Sequence, residues 1–157
     1  MSTRLIALLA GVVAIAIVAA GCGSSSDSTE TTAALSKAEF IKQGDAICTK
    51  GNESIDTEAN EFAKENNVNT NKPTKAQQEE VITDVVAPEV RKEGEEIAAL
   101  GAPSGDEAEV EAIVAAVEGG ADELEEEPSL LVEGKNPLAK GSKLAGSYGF
   151  KVCGGNS

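Results

Sequence analysis

The chain has 157 residues, 27 acidic against 13 basic side chains, a net charge of −14 and no histidine. Such an excess of carboxylates excludes a phosphate-tracking surface, which needs clustered Lys and Arg, so nucleic acid is not an expected partner. Without histidine, the usual general base for Ser and Cys nucleophiles is missing and so is a common zinc ligand, so the chain is expected not to be an enzyme and to need no cofactor.

The first element is a targeting segment. One cation, Arg4, precedes the run LIALLAGVVAIAIVAA, Leu5 to Ala20, which carries no polar side chain and has the basic-start, apolar-core order of a signal peptide. It falls short of the roughly 20 residues that span a bilayer comfortably as a permanent helix. Small residues then lead into Cys22, and a polar serine run follows at once.

This stretch, VAAGCGSSSDS, resembles the lipobox of bacterial lipoproteins, with Ala19 at the position where many lipoboxes carry leucine. The resemblance implies that residues 1–21 are removed and that the Cys22 thiol is diacylglyceryl-modified, which puts the chain on the outer face of the cell membrane. Two or three acyl chains, at about 0.8 kcal/mol per buried methylene, hold a protein at a membrane where one gives only marginal anchoring. The alternatives are an uncleaved anchor or an ordinary signal peptide cut after Ala20 or Gly21. Residues 22–35, nearly free of large apolar groups, read as a disordered tether.

The domain is expected over residues 36–157. Ser36 and Glu39 form an S-x-x-E capping box that opens a first helix. Phe40, Gly44, Ile47, Gly51, Ile55 and Phe62 share a sector of about 80° at helical spacing, with Cys48 at its edge. The turn formers of ENNVNTNKP end it. A second box, Thr74 and Gln77, opens the next helix, in which Ile82, Val85 and Val86 make the stripe before Pro88, and Val90, Gly94 and Ile97 the stripe after it. The two stripes differ in phase, so a kink or break is expected at Pro88, whose ring removes the hydrogen bond to the Asp84 carbonyl. Carried through unbent, the first stripe would bring Glu89 and Glu93 inward as an acid pair facing a cation; no ligand-loop spacing accompanies them.

Ser104 or Asp106 caps a third helix with the clearest stripe in the chain: Val110, Ile113, Val114, Val117, Ala121 and Leu124. Its end, Glu125 to Glu127, sets negative charge against the helix dipole, and fraying is expected there. Leu130 and Leu131 form a short apolar connection. Asn136 and Pro137 start a fourth helix through Leu138, Gly141, Ala145 and Tyr148, with Gly149 as its stop. Four such stripes joined by short loops predict an all-α fold, a small antiparallel bundle of about four helices.

With Cys22 lipidated, two cysteines remain in an exported chain, and Cys48 with Cys153 is the expected disulfide. Closing a loop of about 105 residues is worth at most roughly 4.7 kcal/mol by loop entropy. A redox or metal pair is the rival, and no C-x-x-C supports it. The segments KAEFIKQGDAICTKGNESI and GSYGFKVCGGN resemble the bracketing segments of small lipoproteins of high-GC Gram-positive bacteria, which carry one cysteine in each. That resemblance implies a helical, disulfide-closed extracytoplasmic domain and transfers no activity. Two functions are expected to compete: a non-catalytic interaction or structural module contacting an envelope protein, and a module binding a small apolar or cationic ligand. A pocket lined by Phe40, Ile47, Val86 and Val117 would favour the second.

Overall fold

A computed structural model describes residues 34–155. The leader over residues 1–21, Cys22 and nearly all of the tether lie outside the described residues. The described chain is all-α: α1 (Lys37–Glu65), α2 (Lys75–Val81), a π-helical segment (Ile82–Val86), α3 (Ala87–Ala99), α4 (Glu107–Glu126), α5 (Ser129–Val132) and α6 (Ala139–Tyr148). The α2, π and α3 segments run on without a gap, and α5 is a single turn, which leaves four main rods. The most extensive packing is α3 on α4, then α4 on α6 and α1 on α3. No helix among the described residues is long and apolar enough to cross a membrane.

Both capping boxes form. Ser36 Oγ accepts from the Glu39 backbone N–H, and the Glu39 carboxylate accepts back from the Ser36 N–H. Thr74 and Gln77 repeat the exchange at the start of α2. Each box satisfies donors that the first turn of a helix leaves without partners. The other end of the fold is as local: Gly149, at φ 128°, takes a conformation that L side chains rarely adopt and ends α6.

Pro88 interrupts the regular α ladder in a specific way. The five residues before Ala87 wind as a π segment, in which the Ala87 N–H donates to the Ile82 carbonyl five residues back. Pro88 has no N–H to continue the ladder. One extra residue per turn moves the buried face on by one position, so the stripe that begins at Ile82 and Val85 continues at Val90, Gly94 and Ile97, all buried but on a shifted phase. The change of phase visible in the sequence is absorbed by winding.

Two apolar clusters make the core. The larger joins Phe40 and Cys48 of α1, Ile97 of α3, Val110 and Ile113 of α4, Ala145 and Tyr148 of α6, and Phe150 beyond it. Its centre is aromatic: Phe40 meets Tyr148 edge-on with centroids 6.0 Å apart and Phe150 at 5.8 Å, while Tyr148 and Phe150 lie 5.6 Å apart. Such pairs add about 0.5–1.5 kcal/mol beyond their burial. The smaller cluster packs Leu131, Val132 and Leu138 on Ile82, Ala87 and Leu124, so the turn of α5 does tuck under the bundle.

The carboxyl end returns to α1. Cys48 and Cys153 are disulfide-bonded, with Cα atoms 5.4 Å apart and a sequence separation of 105. Beside the bond, the Asp45 carboxylate accepts backbone N–H groups from Lys151 at 3.0 Å, Val152 at 2.8 Å and Cys153 at 3.3 Å. Successive backbone donors curled around an oxyanion form a concavity that favours negative charge. The tail is therefore held twice, by sulfur and by a carboxylate.

Two expectations need correction. The acidic end of α4 does not fray: the helix runs to Glu126, and Arg91 of α3 reaches Asp122 and Glu125, each at 2.6 Å. A bridging guanidinium offsets the unfavourable dipole term at that end. Asp106 precedes α4 but its side chain caps nothing. It accepts instead from the Tyr148 hydroxyl at 2.7 Å and pairs with Lys37 at 3.3 Å. Those two donors, Tyr148 first, hold the Asp106 carboxyl below its ordinary range.

Candidate functional site

Between α1, α3, α4, α6 and the returning tail lies a cleft of about 370 Å³. From α1 it is lined by Cys48, Asn52 and Ile55, and from the π–α3 rod by Val86, Val90, Glu93 and Ile97. Ile113 and Val117 of α4 and Leu138, Ser142 and Ala145 around α6 complete the walls, and Phe150, Val152, Cys153 and Gly155 close one side. The lining is apolar except for Asn52, Ser142 and Glu93, the composition usual for small-molecule sites of a few hundred Å³. Val86 closes the π segment and opens onto this cleft, and π turns recur at functional sites.

Of the four residues expected to line a pocket, Val86 and Val117 do so. Phe40 is fully buried in the aromatic core, and Ile47 packs against that core without lining the cleft. Neither capping nor periodicity points to Asn52, Ser142 or the tail as lining. Asn52 and Ser142 share the lining with Phe150, Val152, Cys153 and Gly155 of the tail, which returns onto α1.

Among the described residues, Glu93 is the one ionisable side chain in the lining. Gly51 makes room for it: a Cβ built on Gly51 would overlap the Glu93 carboxyl group, so the glycine on the inner face of α1 serves as a seat for an acid from α3. Burial, and then the charges of Glu89 and Glu96, push the Glu93 carboxyl up to about 7, and only Lys92 pulls against them. No hydrogen bond to the carboxyl contributes. Lys92 is engaged elsewhere, with its ammonium 2.9 and 3.0 Å from the two carboxylate oxygens of Glu89.

Glu89 and Glu93 thus both lie on the inner side of α3 but do not act as a pair. Glu89, 7 % exposed, has its cation in Lys92 one turn on. Among the described residues no group of three or more Cys, Asp or Glu gathers as a metal site.

An acid whose folded-state pKa lies above its unfolded value binds more protons in the native state between the two. Its stabilising contribution is full below pH 4.5 and is lost as pH rises through about 7. Discounted for partial exposure, that loss is about 2 kcal/mol. Glu93→Gln is therefore expected to stabilise the domain by about 1.5 kcal/mol at pH 8 and to change nothing at pH 4. Urea titrations of both proteins at the two pH values read this out, and an equal effect at both would mean that the carboxyl is not strained by its surroundings.

No protein-family model, curated protein or solved structure matches the chain.

Proposed function

We propose that this chain is an exported lipoprotein, anchored through Cys22 to the outer face of the cell membrane. Its helical domain is a non-catalytic module that holds a small, mostly apolar ligand. The observation that carries the binding reading is the cleft itself: about 370 Å³ walled by apolar side chains from four elements and closed by the stapled tail. The sequence VAAGCGSSSDS supports the anchor, and the net charge of −14 keeps the domain itself off anionic surfaces.

Neutral 1-octanol, below its aggregation concentration, is expected to shift the methyl NMR signals of Val86 and Val117, and Asn52→Trp, which sets a large ring at the exposed rim, is expected to abolish that shift while leaving the circular dichroism unchanged. Unaltered binding in that variant would overturn the cleft as the site. For the anchor, the intact mass of the native membrane-fraction protein is expected to begin at Cys22 with added acyl mass; a chain that still carries its leader would remove it. A second reading, docking of an envelope protein, is favoured by a separate exposed groove of about 400 Å³ among Ala59, Ala63, Val68, Val81, Leu131 and Val132.

A further inference from the structure

We propose that the ligand of the cleft is an amphiphilic cation, its protonated nitrogen on the Glu93 carboxylate and its hydrocarbon part along Val86, Val90, Ile97 and Val117. This rests on the cleft being a binding site, and it adds the charge and shape of the occupant. Three observations carry it. Among the described residues the carboxylate is the sole charge in an apolar lining. Among the described residues no donor hydrogen-bonds it, and Lys92, the cation that bears on it, is held by Glu89. And the fold makes space for it at Gly51, where any side chain would displace it. A half-buried acid without a partner costs stability in the empty protein, and a cationic group supplied from outside removes that cost.

Size limits the occupant. At about 30 Å³ per water-sized group, the cleft holds on the order of a dozen non-hydrogen atoms, the scale of a short-chain alkylamine rather than a lipid or a peptide helix. Charge excludes the opposite class. An alkyl carboxylate of the same length would face Glu93, and beyond it Glu89 and Glu96 on α3, with Lys92 the only cation that bears on it among the described residues. From α1, Gly51 lies against the acid and Asn52 and Ile55 share the lining with it, none of them titratable, and Glu58 bears on Lys92; α4 contributes Ile113 and Val117 to the lining.

The test is a titration of the chain from residue 22 on, with Cys22→Ser to remove the lipid, by octylamine, 1-octanol, octanoate and ethylamine below their aggregation concentrations. Methyl NMR shifts of Val86 and Val117 report where each binds. Octylamine is expected to bind about tenfold more tightly than 1-octanol at pH 8, octanoate more weakly than either, and ethylamine not measurably. Octylamine is also expected to weaken about tenfold between pH 8 and pH 6, as Glu93 takes up its proton, while 1-octanol is unchanged. In Glu93→Gln the amine and the alcohol are expected to converge within about threefold. If the alcohol and the amine bind the wild type equally, the cation is wrong and the binding site stands. If no probe shifts those methyl groups, the binding reading itself falls, and the cation with it. Equal binding of ethylamine would reduce the effect to the attraction of an acidic surface and overturn the proposal.

Discussion

Cys153→Ser is expected to lower the stability of the domain by about 4 kcal/mol and its melting temperature by about 15 °C, measured by urea and thermal unfolding under non-reducing conditions. The size follows from the separation of 105 residues between the bonded cysteines: opening so long a loop releases most of the entropy that the cross-link had removed from the unfolded chain. Against a net stability of about 5–15 kcal/mol for a domain of this kind, that loss is a large fraction. The folded state is expected to change less than the stability does. Asp45 still accepts the N–H groups of Lys151, Val152 and Cys153, and Phe150 remains in the aromatic core, so the tail stays in place when sulfur no longer holds it. Amide exchange at residues 150–153 therefore remains slower than in a free tail. A loss under about 1 kcal/mol would mean that the unfolded chain is already compact enough for the cross-link to remove little entropy.

The parts of this fold that were legible in sequence are those whose cause lies within one or two helical turns. Ser36 with Glu39 and Thr74 with Gln77 announce helix starts because donor and acceptor sit three residues apart, and both exchanges are made. Val110, Ile113, Ala121 and Leu124 announce a buried face because their spacing is helical, and all four are buried. The disulfide was legible from counting, on the expectation that Cys22 carries lipid and that the chain is exported to an oxidising compartment.

What the sequence left hidden is long-range or depends on a choice between partners. Pro88 signals that the ladder must be interrupted, but a break, a kink and a π segment all satisfy a missing N–H, and nothing local tells them apart; the chain takes the π segment, which packs on both α1 and α4. Asp106 is a good cap by type and position, yet Tyr148, 42 residues on, takes its carboxylate. Asp45 carries no local signal at all, because the three backbone donors it gathers lie 106 to 108 residues away. The candidate site belongs to this second kind. Gly51 and Glu93 were each visible as an oddity, a glycine on an inner face and an acid in an apolar stripe. That one is the seat of the other follows only when α1 and α3 are laid together.

The same logic of seat and occupant gives the second large effect, at Phe150. The ring is 1 % exposed, touches both other aromatics of the core, and occupies the space over Gly44, where a Cβ would run into it. Phe150→Ala is expected to cost about 4 kcal/mol, combining lost burial with a cavity that opens toward the cleft. Phe62→Ala, at a half-buried position outside that cluster, is expected to cost less than half as much. Gly44→Ala alone is expected to destabilise by about 1–3 kcal/mol, because the added methyl group forces the ring out of a packed position. In the Phe150→Ala background the same methyl group enters the vacated space, and alanine's better helix propensity, about 0.5–1 kcal/mol, then makes Gly44→Ala neutral or stabilising. The four proteins of this cycle, compared by urea unfolding, should therefore show a coupling of at least about 1 kcal/mol between the two positions. If Gly44→Ala costs the same in both backgrounds, the glycine does not serve the ring.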